Sequence, residues 1–131
     1  MKPLLQLKIR TPAGLICDQA VQAITAEDEA GWFGILPGRA DMIACLPPGF
    51  LTFRDESAEI FVVLSSGLLE LRSGVCRVLA QDAYLGKDLS ELPEELATGY
   101  RRRRARGERR KDAFSDLERE ALRRLVLEGR S

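Results

Sequence analysis

Three groups of side chains in this 131-residue chain could carry chemistry: the acidic run Glu27-Asp28-Glu29, the thiols of Cys17, Cys45 and Cys76, and the basic stretch from Arg101 to Lys111. The acidic oxygens suit a hard cation in principle, but three acids between strand-like segments read first as an exposed turn. The cysteines are odd in number, far apart and set among apolar neighbours, which fits reduced, buried thiols better than a disulfide framework. The chain has no histidine. That removes the commonest general base and the commonest metal ligand together, so neither a Ser-His-Asp nor a Cys-His site can be built, and zinc lacks a ligand set. Gly86-Lys87 is followed by Asp88, with no earlier glycine at phosphate-loop spacing. The expectation is a protein that is not an enzyme, with no catalytic residue, metal or cofactor of its own.

The basic stretch is the remaining candidate. From Arg101 to Lys111 it holds eight basic residues against one acidic residue, with only Ala105 to bury. Arg101, Arg102, Arg103, Arg104, Arg106, Arg109 and Arg110 form an electrostatic footprint that fits nucleic acid or an acidic protein surface. Residues 87–131 as a whole hold 13 basic and 10 acidic residues, and the preceding part offsets them with 7 basic against 10 acidic. No aromatic residue stands inside the run to stack on a base. An acidic protein partner is therefore the favoured reading, and a free-standing β-sandwich adaptor with a nucleic-acid-binding tail is the alternative. A helix polar on all sides gains little from packing, and Gly99 and Gly107 each cost it roughly 1 kcal/mol relative to alanine. The segment is expected to be mobile or partner-dependent.

Two kinds of element must position these residues. Residues 4–85 read as short apolar segments separated by turn chemistry, the pattern of an all-β domain. Leu5, Leu7 and Ile9 alternate with Gln6 and Lys8, giving one buried and one wet face. Thr11-Pro12-Ala13-Gly14 turns the chain, and residues 21–25, 49–54, 59–65, 68–72 and 75–80 supply further strands. Arg54-Asp55-Glu56-Ser57 and Ser73-Gly74 mark hairpin turns. No amphipathic helical stretch lies between the strands, so a sandwich or barrel is predicted. After Gly86 the period changes. Leu89, Leu92, Leu96 and Tyr100 predict one helix, with Ser90 as its cap and Glu91, Glu94 and Glu95 suiting its dipole. Ser115 and Glu118 form a capping-box signature for a second, whose apolar stripe is Leu117, Ala121, Leu122, Leu125 and Val126, with Arg119, Arg123, Arg124 and Arg130 facing elsewhere. The predicted organisation is a β-sandwich over residues 1–86 followed by an arginine-rich helical hairpin over 87–131. No apolar run approaches the roughly twenty residues that span a bilayer, and the first residues lack a signal-peptide core, which favours the cytosol.

Gly31-Trp32-Phe33-Gly34-Ile35-Leu36-Pro37-Gly38 combines glycines and a proline with large apolar side chains, so it is a corner built to pack. With Leu7-Lys8-Ile9-Arg10-Thr11-Pro12-Ala13-Gly14, Pro48-Gly49-Phe50-Leu51, the segment Phe61 to Leu71 and Val78 to Ala83, it resembles the epsilon subunit of rotary F-type ATP synthases over about two thirds of the chain. Arg39 stands where that family usually has histidine, Trp32 where an acidic residue is common, and Ser66 replaces one glycine of a pair. These departures and the unusual tail suggest a divergent bacterial member, of the alternative N-type or sodium-linked kind.

The resemblance implies a flattened sandwich and a central-stalk role, with the gamma subunit, the c-ring and the alpha/beta catalytic ring as partners, at the cytoplasmic face of the bacterial inner membrane. It implies that Trp32, Phe33, Ile35, Leu36 and Pro37 form an apolar edge against gamma or the c-ring, flanked by Arg39 and Asp41. Periodicity requires at least one of Phe33 and Ile35 to face the sandwich's own core. In the family the hairpin can lie on the sandwich or extend along the shaft and block hydrolytic rotation. Some members bind ATP there through an Ile/Leu-Asp-x-x-Arg-Ala motif, but Arg101 stands where this chain would need the aspartate before Arg104-Ala105, so no ATP site is carried over.

Overall fold

A computed structural model describes residues 3–106 and 116–129. The strands are β1 (Leu5–Thr11), β2 (Gly14–Val21), β3 (Ala23–Asp28), β4 (Gly31–Ile35), β5 (Met42–Leu46), β6 (Gly49–Arg54), β7 (Glu59–Leu64), β8 (Gly67–Arg72), β9 (Val75–Ala80) and β10 (Ala83–Gly86). They form two five-stranded sheets, ordered β2-β1-β9-β8-β5 and β10-β7-β6-β3-β4. Neighbouring strands run antiparallel except β1 and β9, which are parallel. The prediction of an all-β sandwich followed by two helices holds.

Alternation along each strand builds the core. Leu5, Leu7 and Ile9 of β1 point inward with Cys76 and Val78 of β9 and Leu69 and Leu71 of β8. Ile24, Ala26, Leu51, Phe53, Val62 and Leu64 meet them from the other sheet. In β6 the first five residues are all buried, because Leu51 and Phe53 face the core while Phe50 faces a second apolar layer on the outside of the sheet. That layer is where the helices sit.

The structure holds ten strands among the described residues where six were expected, adding β2, β4, β5 and β10. Residues 21–25 were predicted as one strand, but Val21 ends β2 and β3 begins at Ala23. β2 carries polar Asp18 and Gln19 among its apolar residues, which hides its alternation. The Gly31–Gly38 corner divides into a true strand, β4, paired along β3, and a tight turn. In that turn the Arg39 N–H donates to the Leu36 carbonyl at 3.1 Å and Gly38 has φ +91°. Pro37 fixes the first corner and glycine supplies the positive φ at the second, the pattern of a type II turn.

The first α-helix begins later than Ser90. Asp88 accepts the Ser90 N–H at 2.9 Å and starts a 3₁₀ turn over Leu89–Glu91, and α1 (Glu94–Arg106) follows Pro93. The Pro93 carbonyl accepts the Leu96 and Ala97 N–H groups, and proline at a helix start wastes no donor. The second helix is α2 (Asp116–Gly129). The Ser115 capping box, Gly107, Arg109, Arg110 and Arg130 lie outside the described residues.

Candidate interaction surfaces

The loop from Leu36 to Asp41 crosses from β4 in one sheet to β5 in the other. Leu36 is 61% exposed and Pro37 half-buried, so these two form the apolar tip of the loop. Arg39 fastens the tip from below, donating from Nη1 to the Gly34 carbonyl at 3.0 Å and from Nε to the Met42 sulfur at 3.1 Å. Asp41 accepts the Ser73 N–H at 2.9 Å, tying the loop to the β8–β9 turn. Phe33 and Ile35 point inward, and Ile35 is fully buried in the core, so its side chain offers no surface to a partner. Trp32, on the other face of β4, is half-buried beneath α1.

The outer face of the β2-β1-β9-β8-β5 sheet carries a feature the sequence analysis missed. Register pairs Leu15 with Arg10, Arg10 with Leu79, Leu79 with Leu68 and Leu68 with Cys45, in a row across all five strands. Every residue in it is exposed. At about 4.8 Å per strand the row runs roughly 20 Å. Ile43 lies beside it on β5, also exposed. The signal was present: β8 and β9 have apolar residues at both parities of the alternation, which means that both faces of the sheet meet something apolar. The row also holds a correction to the thiols. Cys17 and Cys76 are buried, and burial pushes the Cys76 thiol up to about 12 and raises that of Cys17, whereas Cys45 is exposed.

The outer face of the opposite sheet is covered by the chain's own helices. Phe50 and Val63, with Trp32, Phe61 and Tyr84 at the margin, receive Leu92, Leu96 and Tyr100 of the first helical segment and Ala121 and Leu122 of α2. Tyr100 is the centre, with ring centroids 4.7 Å from Phe50, 5.2 Å from Phe61 and 5.7 Å from Trp32. Two of these contacts are edge-on, the favoured arrangement of aromatic quadrupoles. Leu117, predicted in the apolar stripe of α2, is instead exposed, because the buried side of the helix runs through Glu118, Ala121 and Leu122.

Glu27 and Arg103 are the second pair of corrections. Glu27 is buried in β3, not exposed in a turn, and accepts the Phe50 N–H at 2.8 Å. Arg103, expected in a basic run that is mobile or partner-dependent, lies in regular helix and reaches Glu27 at 2.8 Å and Glu118 at 3.3 Å. Asp28 accepts the Ala30 N–H at 2.7 Å. No group of acids, cysteines or histidines among the described residues is arranged to hold a metal ion. Arg104 stacks over the Trp32 ring at 4.8 Å, and Arg124 faces Glu95 at 4.0 Å. Arg101 and Arg102 are exposed, whereas Arg106 is helical in backbone. The helix-breaking Gly99 leaves room for the Glu118 carboxylate, whose Oε2 would stand 2.7 Å from a Cβ there.

One sheet face covered by the chain's own helices and the other left open define a β-sandwich with a helical appendage. The family described as the beta-sandwich domain of the ATP synthase delta/epsilon chain matches residues 4–86. A protein named ATP synthase epsilon chain 2 in Paraburkholderia xenovorans strain LB400 is 38% identical over 105 residues, covering 78% of this chain and 76% of the relative. Its namesake in Cereibacter sphaeroides is 35% identical over 112 residues, covering 79% and 77%. Among solved structures, a chain of the Euglena gracilis mitochondrial ATP synthase OSCP/F1/c-ring assembly superposes with TM-score 0.63 at 24% identity, over 97% of this chain and 81% of that one. A chain of the Tetrahymena thermophila mitochondrial ATP synthase central stalk and c-ring gives TM-score 0.57 at 15% identity, over 96% and 97%. The two solved structures establish the shared fold. The chain belongs to the ATP synthase delta/epsilon family, as an epsilon chain of the F-type enzyme. Membership makes it a non-catalytic subunit.

Proposed function

We propose that this chain is a central-stalk subunit of a rotary F-type ATP synthase, linking the catalytic part to the ion-translocating ring. The observation that carries the reading is the exposed row of Leu79, Leu68 and Cys45, continued beyond Arg10 by Leu15, on the sheet face that the described helices leave open. A monomer has no reason to hold aligned leucines in water, and contiguous apolar surface marks a contact with another protein. The solved structures it resembles belong to assemblies described as OSCP/F1/c-ring and central stalk/c-ring, which supports this reading; on it the partners are gamma, the c-ring and the alpha/beta catalytic ring. The row faces gamma, and the loop tip at Leu36 and Pro37, held by Arg39 and Asp41, makes a second contact with gamma or the c-ring. Phe33 supports that loop from within the sandwich, and Trp32 braces β4 from the outer face beneath α1.

The mechanical role follows from packing. A sandwich with a dense core transmits displacement with little compression, so a shaft that grips its outer face carries it as a rigid body. Residues 1–86 act as the rotor-binding unit and 87–131 as a regulatory tail. The tail restrains ATP hydrolysis when it leaves the sandwich, presenting Arg101, Arg102, Arg104, Arg106, Arg109 and Arg110 to acidic surfaces of the catalytic ring. The protein acts at the cytoplasmic face of the bacterial inner membrane as a peripheral subunit, and no helix among the described residues is long and apolar enough to cross a membrane. The test is reconstitution of gamma with this chain and its Leu79→Glu and Leu36→Glu variants. Loss of gamma binding in the first supports the reading, and retention in both overturns it.

A further inference from the structure

We propose that Arg103 is a positioning residue that locks both helices onto the sandwich as one unit, through an ionic node made by three separate elements. The guanidinium donates from Nε to Glu27 Oε2 at 2.8 Å, from Nη2 to Glu27 Oε1 at 3.4 Å and from Nη1 to Glu118 Oε2 at 3.3 Å. Glu27 belongs to β3, Arg103 to α1 and Glu118 to α2. Side-chain exposure is 16% for Arg103, 2% for Glu27 and 8% for Glu118, so the node is shielded from solvent. Arg103 also lies over the Phe50 ring at 5.9 Å, beside the aromatic cluster.

Shielded ion pairs are weak evidence of net stability, but removing one partner leaves uncompensated buried charge. Here the partner removed would be the cation shared by two carboxylates on different elements. Without it, Glu27 on β3 and Glu118 on α2 lose the shielded cation that ties their elements together, and the docking of both helices weakens. Neither helix can leave alone while Arg103 holds both carboxylates. Docking is therefore a single event for the pair, and the node is its switch point. Glu27 itself stays on the sheet through the Phe50 N–H, so release exposes the node and leaves the sandwich folded.

The chain carries its own reporter. Trp32 is its single tryptophan, and it lies against Tyr100 and Arg104 of α1. In the purified full-length protein, Arg103→Met should shift Trp32 emission to the red, increase its quenching by acrylamide and open α1 and α2 together to limited proteolysis. The undocked fraction should rise on the order of a hundredfold. Adding Glu27→Gln and Glu118→Gln to Arg103→Met should restore docking, which a residue that merely fills space would not allow. Glu118→Gln alone, which leaves β3 untouched, should loosen docking in the same direction but less. Unchanged Trp32 emission in Arg103→Met, failure of the triple variant to recover, or unfolding of the sandwich together with the helices would each overturn the proposal. None of these measurements requires a partner subunit, so they fail or succeed independently of the stalk assignment.

Discussion

Replacing Leu79 by glutamate separates folding from partner binding more cleanly than any other single change. Leu79 sits mid-row, is 54% exposed, and pairs in register with Arg10 on β1 and Leu68 on β8. Complete burial of a leucine side chain contributes about 1.5–3 kcal/mol, so covering the half that remains in water contributes about 1 kcal/mol to association. A carboxylate at the same place forfeits that and adds about 1 kcal/mol or more for taking a charged group out of water under the partner. Together these weaken binding to gamma by about 2 kcal/mol, roughly thirtyfold in Kd. In the free chain the carboxylate stays solvated beside Arg10, and a cross-strand pair of opposite charge contributes only about 0.2–1 kcal/mol, so the urea midpoint should barely move. Titration calorimetry of the isolated chain into gamma reads the first effect and urea unfolding the second, with Leu79→Ala as a milder control near fivefold. Unchanged affinity in a folded Leu79→Glu protein would refute the assignment of this face as the contact.

Further outcomes follow from the packing. Cys45 should react with maleimide in the native free chain while Cys17 and Cys76 stay silent until the chain unfolds, and binding of gamma should protect Cys45. Tyr100 has its phenol raised above the ordinary 10.0, chiefly by burial. The folded state thus holds that proton more tightly than the unfolded state, so its contribution is complete below pH 10 and is lost as pH rises through the higher folded value. Trp32 emission should accordingly report helix loosening only above about pH 10, and a loosening centred near neutrality would contradict it. Gly67→Ala should cost about 1–3 kcal/mol in urea unfolding, because its Cβ would meet the Leu79 carbonyl oxygen at 2.7 Å. The exposed Ser66→Ala change should stay within about 0.5 kcal/mol. This contrast explains how one glycine of the family's pair is dispensable here and the other is not.

The sandwich was legible from short apolar segments separated by turns, most clearly where Leu5, Leu7 and Ile9 alternate with Gln6 and Lys8. The two helices were legible from the stripes at Leu92, Leu96 and Tyr100 and at Ala121 and Leu122. What escaped depends on contacts between elements distant in sequence. Nothing local marks Glu27 as buried, since its partner Arg103 lies 76 residues away. For the same reason Arg103 could not be told from Arg101 or Arg102 within one basic run. Trp32 and Ile35 belong to one apolar block in sequence, but a period of two sends Ile35 into the core and Trp32 under the helices, leaving Leu36 and Pro37 as the block's outward part. The leucine row required register across five strands, which no single segment encodes.

The stalk assignment is tested most directly by tagging the chain in its native cell, purifying it from nuclease-treated, detergent-solubilised membranes and identifying what accompanies it by mass spectrometry. The account predicts recovery of gamma, c subunits and the alpha and beta catalytic subunits, with all of them reduced together when the tagged chain carries Leu79→Glu. Recovery of nucleic-acid-binding proteins with no rotary subunit would contradict it.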